Sequence, residues 1–171
     1  EFRRVLFRSI TMLEEQNRVP LISQLLETWI QGEVSQNYQL ANYSNAAAIL
    51  FQNMKQLNWV GFYLYDEESD KLVVGPFLGK PAVALISPES GVVGKAFSAQ
   101  KTIIVSDVHS FSGHIVCDPE SKSEIVVPII TRDGKRLGVL DIDSPELNRF
   151  TLEDQVSLEH FVQTLLEYVY K

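Results

Sequence analysis

What the chain has little of narrows it first. Its 171 residues include a single cysteine, Cys117. No disulfide can form within the chain, and a lone thiol fits a reducing compartment, so a cytoplasmic location is expected. No apolar run approaches the roughly 18 residues of a membrane span, so no membrane partner is expected. Positive charge is scarce: 15 Lys and Arg stand against 22 Asp and Glu, a formal net charge of −7. Such a chain lacks the clustered cations that grip a phosphate backbone, which argues against nucleic acid. Only three histidines are present. His114 and Cys117 have metal-like spacing, but zinc wants three or four ligands, and no metal is expected. Gly91 and Gly94 lack the Lys and Ser/Thr of a phosphate loop. Ser112 and Ser123 lack the strand-to-helix context of a nucleophile elbow.

With 45% hydrophobic residues the chain can bury a core, and its length suits one domain. The first ten residues, EFRRVLFRSI, carry a local charge of +2 against −9 for the rest. Their apolar run is too broken for a secretory signal. They read as an extraneous N-terminal extension, residues 11–171 being one domain.

Met12 to Ile30 places Leu21, Ile22, Leu25, Leu26 and Trp29 at helical spacing, with Pro20 near the first turn. A second helix, capped by Ser35 or Asn37, runs to about Gln56, and Ala46 to Ala48 in its middle suit close packing. The pair reads as a layer over the core or as a dimer face. Asn58 to Asp66 and Lys71 to Phe77 read as a hairpin, and Ala82 to Ile86 as a short strand. Gly91 and Gly94 open a short helix ending near Gln100, and Lys101 to Val105 is a strand. After a long loop, EIVVPIITR and KRLGVLDID are joined by the hairpin signal Asp133-Gly134. Pro128 marks an edge position or a bulge. Thr151 caps a last helix, with Glu153 and Asp154 in its first turn and an apolar face from Leu158 to Leu166. Helices at both ends with hairpins between predict an α+β fold. A central antiparallel sheet would carry the terminal helices on one face and a loop-roofed pocket on the other.

The chain is organised around the loop from Ser106 to Pro128, SDVHSFSGHIVCDPESKSEIVVP. It is too long for an idle connection, and it holds Cys117, His109, His114 and several carboxylates. A thiolate is a nucleophile whose first, reversible oxidation product is a sulfenic acid. Asp141 and Asp143 are two apart on a strand and share a face, and Glu124 begins the strand that follows the loop. A lone cysteine also serves as a small buried hydrophobe. Trp59 and Tyr63 also serve as core aromatics, and the two aspartates can face solvent. The residues alone leave both readings of each open.

The runs WVGFY, GPFLGKPA, SGVVGKAF, VSDVHSFSGHIVCD, SEIVVPI and GVLDIDSP, in that order, resemble the free methionine-(R)-sulfoxide reductases. These are stand-alone GAF-domain enzymes. The resemblance covers roughly Val19 to Tyr170, and GHIVCD followed by SEIVVP is its most specific part. It implies a GAF fold and reduction of free methionine sulfoxide, with Cys117 attacking the sulfoxide sulfur. It implies substrate binding by Glu124, Asp141 and Asp143 and pocket walls at Trp59 and Tyr63; His114, read as a hydrogen-bonder of the loop that can favour the thiolate, and Asp118 are candidates for support. No cofactor is implied beyond an external thiol reductant, thioredoxin or a small thiol, and a homodimer is expected. The sequence departs from the family at Val83 and Val93, where two further cysteines usually stand. Recycling through an intrachain disulfide is thereby lost. The alternative is a GAF domain that senses a small ligand without turnover.

Overall fold

The computed structural model describes residues 20–30, 36–113, 115 and 118–170. Two helices come first, α1 (Leu21–Trp29) and α2 (Gln36–Asn53), followed by strands β1 (Trp59–Asp66), β2 (Lys71–Leu78) and β3 (Leu85–Ile86). Helix α3 (Gly91–Ala99) and strand β4 (Ile103–Val105) lead to a 3-10 turn, Val108–Ser110. Strands β5 (Ser123–Ile130) and β6 (Arg136–Ser144) and helix α4 (Leu152–Val169) complete the order. The strands form one sheet in the order β3-β2-β1-β6-β5-β4, every neighbouring pair antiparallel. This is the α+β architecture expected from the sequence. None of the helices described is long and apolar enough to cross a membrane.

Alternation along the strands builds two cores. Val60, Phe62, Ile125, Val127, Leu140 and Ile142 face one way and pack with Leu26, Leu50, Phe161 and Leu165 of the helices. Burying such side chains contributes about 1.5–3 kcal/mol each, so this larger core carries most of the stability. The opposite face holds a smaller cluster in which Tyr63, Val126 and Val139 meet Val92, Val93 and Phe97 of α3. That face has room for polar groups, and the long loop roofs it.

Several boundaries differ from the sequence-based expectation for physical reasons. Helix α1 starts at Leu21 with Pro20 as its N-cap, and the expected first part, residues 12–19, lies outside the described residues. Its seam is Leu26 and Ile30, while Leu21 and Trp29 are 66% and 60% exposed. Leu21 lies about 140° round the helix from Leu26, at 3.6 residues per turn, and cannot share its stripe. Asn37 lies inside α2 rather than capping it, and Ser35 is outside the described residues. Ala46 and Ala47 are fully buried, as close packing requires. Strand β3 shrinks to two residues: the Val83 carbonyl is taken by the Tyr63 hydroxyl at 3.0 Å, and Pro81 has no N–H for a ladder. Strand β4 begins at Ile103 because the Lys101 N–H closes the end of α3 on the Ala96 carbonyl. Pro128 sits in an interior strand, but β4 pairing stops at Ile103 opposite Val126, so position 128 is locally an edge.

The last helix begins as its sequence dictates. Thr151 Oγ1 accepts the Asp154 N–H, and Asp154 Oδ2 accepts the Thr151 N–H at 2.9 Å, a reciprocal capping box. Thr151→Ala removes one half of it. The expected loss is about 1 kcal/mol of unfolding free energy in urea titration, with no change in the site on the other face.

Candidate functional site

Strands β5 and β6 place three carboxyls together. Glu124 stands opposite Asp143 across the ladder, and Asp141, two residues before Asp143, stands opposite Val126. All three therefore leave the sheet on the α3 side, Glu124 and Asp141 as diagonal neighbours. Their oxygens lie within 4.8 Å of one another. Relative exposures are 4% for Glu124, 6% for Asp141 and 8% for Asp143. On β1 the matching positions are Trp59 and Gly61. A Cβ at Gly61 would come within 2.3 Å of Phe77 Cβ and 2.6 Å of Trp59 Cη2, so only glycine lets those rings lie there.

Burial raises the pKa of each of the three well above the ordinary carboxylate range, because water no longer solvates the charge. Neighbouring anions add to this: Asp143 on Glu124, Glu124 on Asp141, and Asp141 with Asp118 on Asp143. Asp141 and Glu124 also hydrogen-bond to each other. Asp141 Oδ1 is buried without a hydrogen-bond partner among the described residues. Asp118 behaves oppositely although only 4% exposed. The Glu120 N–H, and then Lys80 and Asn58, hold its pKa below the usual value. It stays ionised because donors replace the lost water.

These carboxyls line a cavity closed by Tyr63 and Ile86 of the sheet, Gly91 to Val93 at the start of α3, and Ile115, Asp118 and Ser121 of the loop. The volume open to a water's centre is about 20 Å³, which suffices for one or two waters. No Lys or Arg is among the described lining residues. Gly91 has a positive φ of 64°, and a side chain there would press Ile115 at 3.1 Å, so glycine both opens α3 and seats the loop.

Glu124, Asp141, Asp143, Tyr63 and Asp118 are thus brought together. Trp59 is not on the described wall. It is buried and stacked against Tyr63 and Phe77 at 5.9 and 5.3 Å between centroids, and its Nε1 donates to the Lys80 carbonyl at 3.1 Å. Cys117 and His114 lie outside the described residues. Asp118 and Ile115, on either side of the Val116-Cys117 pair in sequence, both border the cavity. His109 is exposed and bonded to Asp107, away from the buried carboxyls. His160 joins α4 to Ser23 of α1 at 2.9 Å. Val93 lines the cavity, whereas Val83 is exposed and not among its described lining residues. Sequence reading missed Lys80, Asn58 and Ser121, which surround Asp118. Lys80 sits within the GKPA run, but nothing local reveals a contact 38 residues away.

Three oxygen donors at this spacing can hold a cation, either an organic ammonium or a metal ion. Calcium and magnesium want six or more oxygens. Burial that raises the pKa of all three also opposes metal binding, since ligating carboxylates must be ionised.

The GAF domain family matches residues 43–166. The chain belongs to the GAF-domain family. Within it, the chain is 41% identical over 154 residues to the free methionine-R-sulfoxide reductase of Saccharomyces cerevisiae, covering 87% of this chain and 86% of that one. It is 44% identical over 126 residues to the Escherichia coli free methionine-R-sulfoxide reductase, covering 74% of each. Among solved structures, the fRMsr of Staphylococcus aureus in complex with its substrate superposes with a TM-score of 0.79. The identity there is 43%, over 88% of this chain and 94% of that one.

Proposed function

We propose that this protein is an oxidoreductase that reduces free L-methionine (R)-S-oxide to methionine, with Cys117 as nucleophile. The observation that carries the reading is the meeting of three buried carboxyls on a cavity bordered by Asp118, the residue bonded to Cys117. A substrate ammonium supplies the positive charge that the described lining residues lack. The first turn of α3, whose N–H groups have no intrahelical acceptors, lies on the same cavity and suits the substrate carboxylate. With fewer than three of the carboxyls ionised, one keeps a proton for the sulfoxide oxygen.

The step balances as an oxygen transfer. The Cys117 thiolate attacks the substrate sulfur and the oxygen takes a proton; the hydroxyl then passes to the Cys117 sulfur as the substrate S–O bond and the transient S–S bond break, so methionine leaves and Cys117 becomes a sulfenic acid. The cysteine sulfur loses two electrons and the substrate sulfur gains them. A thiol from outside then displaces water to give a mixed disulfide, and a second thiol releases Cys117. With valine at positions 83 and 93, no second cysteine of the chain can take that part. The cavity is smaller than an amino acid, so binding shifts side chains of the roof such as Ile115.

The test is a single turnover. Reduced protein, mixed with either epimer of methionine sulfoxide and no added thiol, is expected to yield about one methionine per chain from the R epimer and none from the S epimer. Those two valines favour the second reading, a ligand-sensing domain, and binding of the R epimer with no methionine formed would support it. A further expectation concerns specificity. Capping the substrate's amino group removes the charge the carboxyls bind, and the capped sulfoxide is expected to react about 100-fold more slowly or worse. Equal rates would mean that the carboxyls do not read the ammonium.

A further inference from the structure

Lys80, between β2 and β3, reaches into the loop that follows Cys117. Its Nζ is 3.0 Å from Asp118 Oδ1 and 2.9 Å from Glu120 Oε2. The two partners are not equivalent. The Glu120 side chain is 70% exposed, while that of Asp118 is 3% exposed. An exposed pair contributes about 0–1 kcal/mol and is screened by salt. A carboxylate withdrawn from water depends on its protein partners instead.

Both ends of this link are anchored to the sheet. The Lys80 carbonyl accepts from Trp59 Nε1, and Trp59 is held by its stacking on Tyr63 and Phe77. Asp118 also accepts from Asn58 Nδ2 at 3.2 Å and from the Glu120 N–H at 2.9 Å. Asn58 itself donates its N–H to the Asp143 carbonyl at 3.1 Å. Asp118 is therefore fixed from two sides, directly beside the carboxyl cluster. Lys80 is the half of that fixation whose side chain remains 54% exposed, so removing it spares the core.

We propose that Lys80 is a positioning residue: its ion pair with Asp118 fixes the chain immediately after Cys117 relative to the carboxyl cavity, and so sets the reactivity of Cys117. The catalytic half of this rests on the reductase reading above. The geometric half does not.

Two measurements on the intact protein separate them: the rate of Cys117 alkylation by iodoacetamide, and the single-turnover rate of methionine formation beside the substrate Kd. Lys80→Met is expected to speed alkylation about threefold or more, since Asp118, the residue next to Cys117 in the chain, loses its Lys80 anchor. It is expected to slow methionine formation about tenfold, with Kd changed by less than about threefold, as misplacement of a reacting group does. Lys80→Arg restores both rates, and Glu120→Gln matches the wild type. Within an Asp118→Asn background, Lys80→Met has no further effect. Unchanged alkylation in Lys80→Met overturns the proposal. So does a Glu120→Gln variant that behaves like Lys80→Met, or a Lys80→Met effect that persists without the Asp118 charge. If the wild type forms no methionine while Lys80→Met still speeds alkylation, the reductase reading falls and the positioning role stands.

Discussion

Cys117→Ser is expected to reduce single-turnover methionine formation to background, a loss of about a thousandfold or more. Cys117 is the only thiol of the chain, and a thiolate can attack the substrate and end as a sulfenic acid by a two-electron oxidation of its sulfur. A serine hydroxyl is un-ionised at neutral pH and has no sulfenic rung to climb to. The substitution differs by one atom and changes none of the three carboxyls. Binding of the R epimer, followed by calorimetry, and the thermal midpoint are therefore expected to stay close to wild type. Methionine formed at an undiminished rate by the folded serine variant would remove Cys117 from the chemistry. A variant that neither binds nor melts cooperatively would place the cysteine in the fold instead.

Much of this site can be read in the sequence because strands obey a period of two. Val139, Asp141 and Asp143 on one face and Leu140 and Ile142 on the other follow directly from GVLDID. The Asp133-Gly134 turn also sets register. Placing Arg132 opposite Lys135 and counting back puts Glu124 opposite Asp143, as found, although a bulge at Ile129–Ile130 perturbs the ladder near the turn. What the sequence hides is long-range. Lys80 and Asp118 meet because two loops converge over one sheet end, and neither loop has a periodicity that reports its course. For Trp59 a place on the pocket wall is what the family resemblance implies. It stands on the carboxyl face of β1, opposite Asp143, and its indole is stacked with Tyr63 and Phe77 over the space that Gly61 leaves. The exposed Leu21 and Trp29 of α1 show the limit of counting apolar residues without asking which share a stripe.

The second large effect is a trade between stability and activity at Asp141. Its carboxyl is buried, its pKa is raised first by that burial and then by Glu124, and its Oδ1 has no partner among the described residues. A group whose pKa is higher folded than unfolded contributes stability that is complete below the unfolded value, about 3.9 for aspartate, and is lost as pH rises through the folded value. At pH 8 the wild type therefore carries a burden from ionising this cluster that it does not carry near pH 4. Asp141→Asn has the same shape, no charge, and an N–H that can donate to Glu124 where the carboxyl's O–H did. It is expected to be about 0.5–2 kcal/mol more stable than wild type at pH 8, as substitutions that relieve functional sites are. That difference shrinks toward zero as pH falls to about 4. Asp66, Asp107, Asp118 and Asp133, whose pKa values are lowered, lose stability in the more acidic range, but they are common to both proteins and cancel in the difference. The same substitution removes a proton donor and part of the negative charge that meets the ammonium, so single-turnover methionine formation is expected to fall about 10²–10⁴-fold. Urea titrations of both proteins from pH 4 to pH 8 give the first quantity, and rapid-quench assays the second. An Asp141→Asn protein less stable than wild type at pH 8, by a margin that does not change with pH, would mean that this carboxyl is ionised and satisfied in the folded protein. The carboxyls would then bind the substrate without supplying its proton.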